Sequence, residues 1–146
     1  MLAITGGIVH SISGGVKPGH AVLVREGRIE ALVPPGEVPS DCEKLDVAGG
    51  SVLPGLIDAR TSAGLFGDGT GFQNADHEEL TDPDTAWVRA IDALNPADSV
   101  FADAREAGIT TLLTGPGMTN VTGGLSAVVK TSGNTVQAML VREPAG

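Results

Sequence analysis

Asp58, Arg60 and Ser62 stand at alternate positions in the stretch "LIDARTSAGL", residues 56–65. Side chains of an extended chain alternate with a period of two, so all three project from one face. A carboxylate, a guanidinium and a hydroxyl in a row can hydrogen-bond and carry charge. They make a poor metal site. Arg is cationic at any working pH and has no lone pair to donate, and Ser is a weak ligand for zinc. The guanidinium must find carboxylates or water instead. Asp58 on its own face, and Asp68 and Asp76 in the segment that follows, are the expected partners.

Other residue types that do chemistry are scattered. His10 and His20 fall in the first fifty residues, which read as a β unit. His77 opens "HEELT", which is not H-E-x-x-H because position 81 is Thr. Each reads as a satisfied or solvated histidine. Asp68, Asp76, Glu78, Glu79, Asp82 and Asp84 crowd one segment. Such a run can bind a hard cation, but its spacing is not that of an EF-hand loop, so it reads as a solvated loop. "TGPGMTNVTGG", residues 114–124, is glycine-rich and follows a strand. It lacks the Lys of a P-loop, and no helical pattern follows it, so it reads as a strand-end loop rather than a phosphate cradle. Ser11, Ser13 and Ser126 have no His and Asp arrangement that would make a nucleophile.

Composition narrows the function classes. The formal charge is −9, from 18 acidic and 9 basic residues. Nucleic acid wants a basic patch, and aromatics are only 3% of the chain, so no stacking platform for bases is expected. No window resembles a transmembrane span, and the start "MLAITGGIVHS" has no basic residue before its apolar run. The single cysteine, Cys42, cannot form an internal disulfide. A cytoplasmic location is the expectation.

The elements that position these residues change character near Pro54. Before it, "AVLVREGRIEALV" reads as a hairpin around Glu26-Gly27, "LAITGGIVHSI" as a preceding strand, and "EKLDVAGGSVL" as one or two more. The result is a small antiparallel β unit. After Pro54, "GLIDA" reads as a strand buried on both faces. "DTAWVRAIDAL" adds a helical stretch. "NPADSVFADAREAG" has a helix's punctuation, with Asn95 at the N-cap, Pro96 at the first helical position and Gly108 as the stop. "ITTLLTG" is a strand, which completes a strand–helix–strand unit with a parallel pair. The final segment reads as two short strands around Ser132-Gly133-Asn134.

"SVLPGLIDA", preceded by a small β unit and followed by "AGITTLLTGPG", resembles the amidohydrolase superfamily, especially its imidazolonepropionase-like members. The resemblance implies an N-terminal β-sandwich portion over 1–53. Over 54–146 it implies the first βαβ of a truncated (β/α)8 TIM-type barrel, because a complete barrel needs about 250 residues. In the family, H-x-H at the end of the first barrel strand holds a zinc-type divalent metal. The metal activates water for hydrolysis of a C–N bond, typically in a cyclic amide. Here those two positions carry Arg60 and Ser62. The expectation is a truncated, metal-site-degenerate relative that is not catalytic as this chain alone. No catalytic, cofactor-binding or metal residue is assigned to it. The alternative is a non-catalytic binding or assembly subunit, which self-associates or pairs with a chain that completes the barrel. An active hydrolase with substitute ligands stands third. No nucleic-acid or membrane partner is expected.

Overall fold

The computed structural model describes residues 1–66, 77–78 and 81–145. The chain divides into two compact units, Met1–Pro54 and Gly55–Gly146.

The first unit is all β apart from one turn of 3-10 helix. Its strands are β1 (Leu2–Thr5), β2 (Ile8–His10), β3 (Val16–Pro18), β4 (Ala21–Arg25), β5 (Arg28–Val33), β6 (Glu43–Asp46) and β7 (Ser51–Val52). They form two sheets, ordered β5-β4-β1-β6 and β3-β2-β7. The expected hairpin is β4–β5. Its turn places Glu26 at φ 51° and Gly27 at φ 73°, the type I′ geometry that matches strand twist.

Two expectations for this unit are corrected. Residues 2–12 are not one strand: the chain leaves the first sheet after Thr5 and enters the second at Ile8. The unit is also not purely antiparallel, because β1 pairs in parallel with β6, and β2 with β7. Both corrections have one cause. Two segments change sheet side by side, at Gly6-Gly7 and at Val47–Gly50. They stay bonded through the corner by Val47 N to Thr5 O (2.9 Å), Gly49 N to Gly6 O (2.6 Å) and Ile8 N to Gly50 O (2.9 Å). A Cβ on Gly7 would lie 2.5 Å from the Gly50 carbonyl oxygen, so the close crossing needs glycine there.

The second unit builds one sheet in the order β11-β10-β9-β8. Its elements are β8 (Leu56–Thr61), α1 (Ala90–Ala93), α2 (Val100–Glu106), β9 (Ile109–Thr114), β10 (Ala127–Lys130), α3 (Val136–Met139) and β11 (Leu140–Arg142). The expected parallel pair is β8 with β9, joined through α2. Parallel pairing stops there, because β10 runs antiparallel to both β9 and β11. Leu65, Ala90, Leu94, Phe101, Leu112, Ala127, Val129 and Met139 form the buried core.

Two further readings change. β8 is not buried on both faces: it is an edge strand bonded to β9, and Leu56 and Ile57 are 57% and 68% exposed. The helix expected from Asn95 begins later, at Val100. Asn95 Oδ1 accepts from Ala97 N (3.1 Å) and Asp98 Oδ1 accepts from Val100 N (2.9 Å). These side chains bond the backbone two residues on, so turns occupy 95–99 and the helix starts after them. "DTAWVRAIDAL" contributes only the four residues of α1 as helix.

Gly64 ends the path out of β8 and turns Leu65 into the core. It sits at φ +82°, and a Cβ there would meet Phe101 Cζ at 2.4 Å and Leu94 Cδ1 at 2.9 Å. Gly108, after α2, has φ +81° and open space around it. Gly64→Ala is therefore expected to lower unfolding stability by roughly 2–4 kcal/mol through overpacking and backbone strain, and Gly108→Ala by only about 1 kcal/mol. Urea titration of the two variants checks the order; equal midpoints would refute the packing account.

Candidate functional site

The candidate site begins where β8 and β9 end side by side. Arg60 and Ser62 both reach the loop after β9, but the register of β8 against β9 shifts between Asp58 and Thr61, and the partners are not the expected ones. Asp58 Oδ1 accepts from the backbone N of Arg60 (3.1 Å), not from its guanidinium. Arg60 is exposed and donates from Nη2 to the carbonyl oxygen of Pro116. Ser62 Oγ donates to the carbonyl oxygen of Gly115 (2.9 Å). Two more bonds join the same ends: Gly115 N to Thr61 O (3.0 Å) and Thr114 Oγ1 to Ala63 O (2.8 Å). Among the described residues Arg60 has no ion pair. Asp68, Asp76 and Glu79 lie outside them.

From this clamp the chain runs past a cavity of about 520 Å³, lined by residues from three segments: His77 and Glu78, Thr85 to Ala93, and Pro116 with Asn120. Gly117 N donates to the carbonyl of His77. Asn120 Nδ2 donates to Asp82 O (2.7 Å), while Thr85 N and Oγ1 both donate to Thr122 O (2.9 and 3.0 Å). These bonds fix the glycine-rich loop as one wall. The His77 ring packs on Phe66 at 4.2 Å between centroids, and its buried Nδ1 has no hydrogen-bond partner among the described residues.

Arg89, on the cavity wall, makes a bidentate pair with Glu143. Nε donates to Oε1 (2.8 Å) and Nη2 to Oε2 (2.7 Å). The Glu143 side chain is only 11% exposed. The hydrogen bonds from Arg89, helped by its charge and opposed by desolvation, hold the Glu143 carboxyl below its ordinary value of 4.5. The same hydrogen bonds and the Glu143 charge raise the Arg89 guanidinium above its ordinary value.

No family profile matches the chain. Individual relatives do. The amidohydrolase tasK of Hapsidospora irregularis is 32% identical over 112 residues, which is 75% of this chain and 11% of that protein. Imidazolonepropionase of Klebsiella pneumoniae is 46% identical over 52 residues, 36% of this chain and 13% of the relative. The crystal structure of an amidohydrolase from Thermotoga maritima MSB8 matches all of this chain at TM-score 0.89 and 34% identity, over 38% of its own length. The chain belongs to the amidohydrolase superfamily. It corresponds to an N-terminal, β-rich portion of that fold, and it spans well under half of each of these relatives.

In this amidohydrolase portion the remaining sequence candidates separate. His10 lines an apolar groove in the first unit, and His20 Nδ1 lies 3.2 Å from Pro18 O. His77 lies in the second unit. Asp82 and Asp84 accept from Asp84 N (2.9 Å) and Ala86 N (3.4 Å), so these two acids organise turns. Among the described residues no three His, Cys, Asp or Glu side chains gather as a metal site. No described helix is long and apolar enough to cross a membrane. Arg89 and Glu143 escaped sequence reasoning, because a pair 54 residues apart leaves no local pattern.

Two outcomes follow from this geometry. Ser62→Ala and Arg60→Ala are each expected to destabilise the second unit by about 1 kcal/mol, the ordinary worth of a hydrogen bond, as read by denaturant midpoint. Unchanged midpoints in both would show that the clamp contributes nothing. The Glu143 contribution has a defined pH range. A carboxyl lowered on folding stabilises above its unfolded value, near 4.5, and loses that effect as pH falls through the folded value. Thermal melts of the parent and Glu143→Gln should differ at pH 7 and converge in acid below that range.

Proposed function

We propose that this portion of the amidohydrolase fold does not hold the family's catalytic metal and does not hydrolyse a substrate by itself. The family activity, as the resemblance implies it, is metal-dependent hydrolysis of a C–N bond, typically in a cyclic amide. The reading rests on the side chains at the two metal-ligand positions. A zinc-type ion needs lone pairs from both. Arg60 has none to offer, and its guanidinium, directed at Pro116 O, carries a fixed positive charge that repels a cation. Ser62 directs its hydroxyl hydrogen at Gly115 O. The two residues fit hydrogen-bond donation to a loop and do not fit a divalent metal, so no hydrolytic step is assigned to them. Their role on this reading is to hold the loop after β9 against the end of β8.

A second reading is favoured by one observation. β8 is an edge strand with Leu56 and Ile57 well exposed, a surface that another strand could cover. On that reading the chain is an assembly subunit, and further barrel strands from a partner bring the remaining chemistry.

Metal analysis tests both. The chain purified without chelator should contain well under one equivalent of zinc, manganese or iron by mass spectrometry. About one tightly held equivalent would overturn the first reading. Metal that appears only when a second chain copurifies would favour the second.

A further inference from the structure

The 520 Å³ cavity of the second unit is large enough for a small molecule, and its charge is unbalanced. Among the described residues Arg89 is the one guanidinium or ammonium group on its wall, and that group is already committed. It makes two bonds to Glu143 and lies 3.8 Å from Asp92 Oδ1. Glu78 is half-buried on the same wall and makes no ion pair or hydrogen bond among the described residues. Asp92 adds a second carboxylate. Trp87 lines the cavity too and is 66% exposed, an unusual state for the largest aromatic side chain. An aromatic ring beside carboxylates that outnumber the nearby guanidinium attracts cations through both its quadrupole and their charge.

We propose that this cavity binds a small organic cation, a primary ammonium or guanidinium on a short carbon chain, with the charge at Glu78 and Asp92 and the chain against Trp87. The site uses neither Arg60 nor Ser62, so it goes beyond the function proposed above and stands or falls separately from it.

Trp87 is the single Trp of a chain that has no Tyr, so tryptophan emission reports on this wall directly. Emission is titrated in metal-free buffer with n-butylguanidinium and n-butylammonium, and with butyrate and n-butanol as anionic and neutral probes of the same length. The expected result is a saturable change with the two cations, absent with butyrate and butanol. Glu78→Gln should weaken the cation response about fivefold, and Asp41→Asn, in the first unit, should leave it unchanged. If Glu78→Gln proves unfolded by circular dichroism, Asp92→Asn takes its place with the same expectation. A flat titration, an equal response to butyrate or butanol, or an unaltered affinity in the folded carboxylate variant would overturn the proposal.

Discussion

The meeting of the β8 and β9 ends governs the second unit. Four hydrogen bonds converge there from Arg60, Ser62, Thr114 and Gly115. Two are side-chain donors to the backbone carbonyls of Gly115 and Pro116, at the point where the ladder ends and those carbonyls lose their strand partners. A buried or half-buried carbonyl left unpaired is costly, so the side chains at 60 and 62 fill a need of the loop as much as their own. With the loop held, Pro116 and Asn120 become a wall of the cavity. On the other side of β8's end, Gly64 turns the chain so that Leu65 reaches Phe101 and Leu94 in the core.

This clamp bears directly on chemistry. A neutral imidazole at a strand end can offer a lone pair to a metal from one nitrogen and donate a proton to a carbonyl from the other. A guanidinium can only donate, and Ser62 is observed donating. The family relationship and the proposed loss of metal binding are compatible, because donation to the loop carbonyls needs no metal. Arg89 shows the same economy. Its pairing with Glu143 ties residue 143 to the segment before α1 and commits a guanidinium of the cavity wall.

The first unit rests on a different constraint. Two segments cross between sheets together, and their backbones come too close for side chains at the corner. That crossing makes β1 and β6, and β2 and β7, parallel neighbours although the strands on either side are antiparallel.

Local chemistry was legible in the sequence alone. The Glu26-Gly27 turn, the stop at Gly108 and the strand Ile109–Thr114 depend on residues adjacent in the chain, and they stand where the pattern placed them. The run "PGLIDA" carried the family. The helix start was misread because an Asn or Asp side chain can serve a helix cap or a turn, and here both bond the backbone two residues on as turns. β8 looked doubly buried because its apolar letters do not say how many neighbours a strand has; only the sheet order showed it at an edge. The alternation of 58, 60 and 62 placed Arg60 and Ser62 on one face, but charge alone pointed Arg60 to carboxylates. Its actual partner, Pro116 O, lies 56 residues away. Likewise the cavity draws its wall from three separated segments. Contacts at such separations have no signature in a window of neighbouring residues, so only the tertiary structure could decide them.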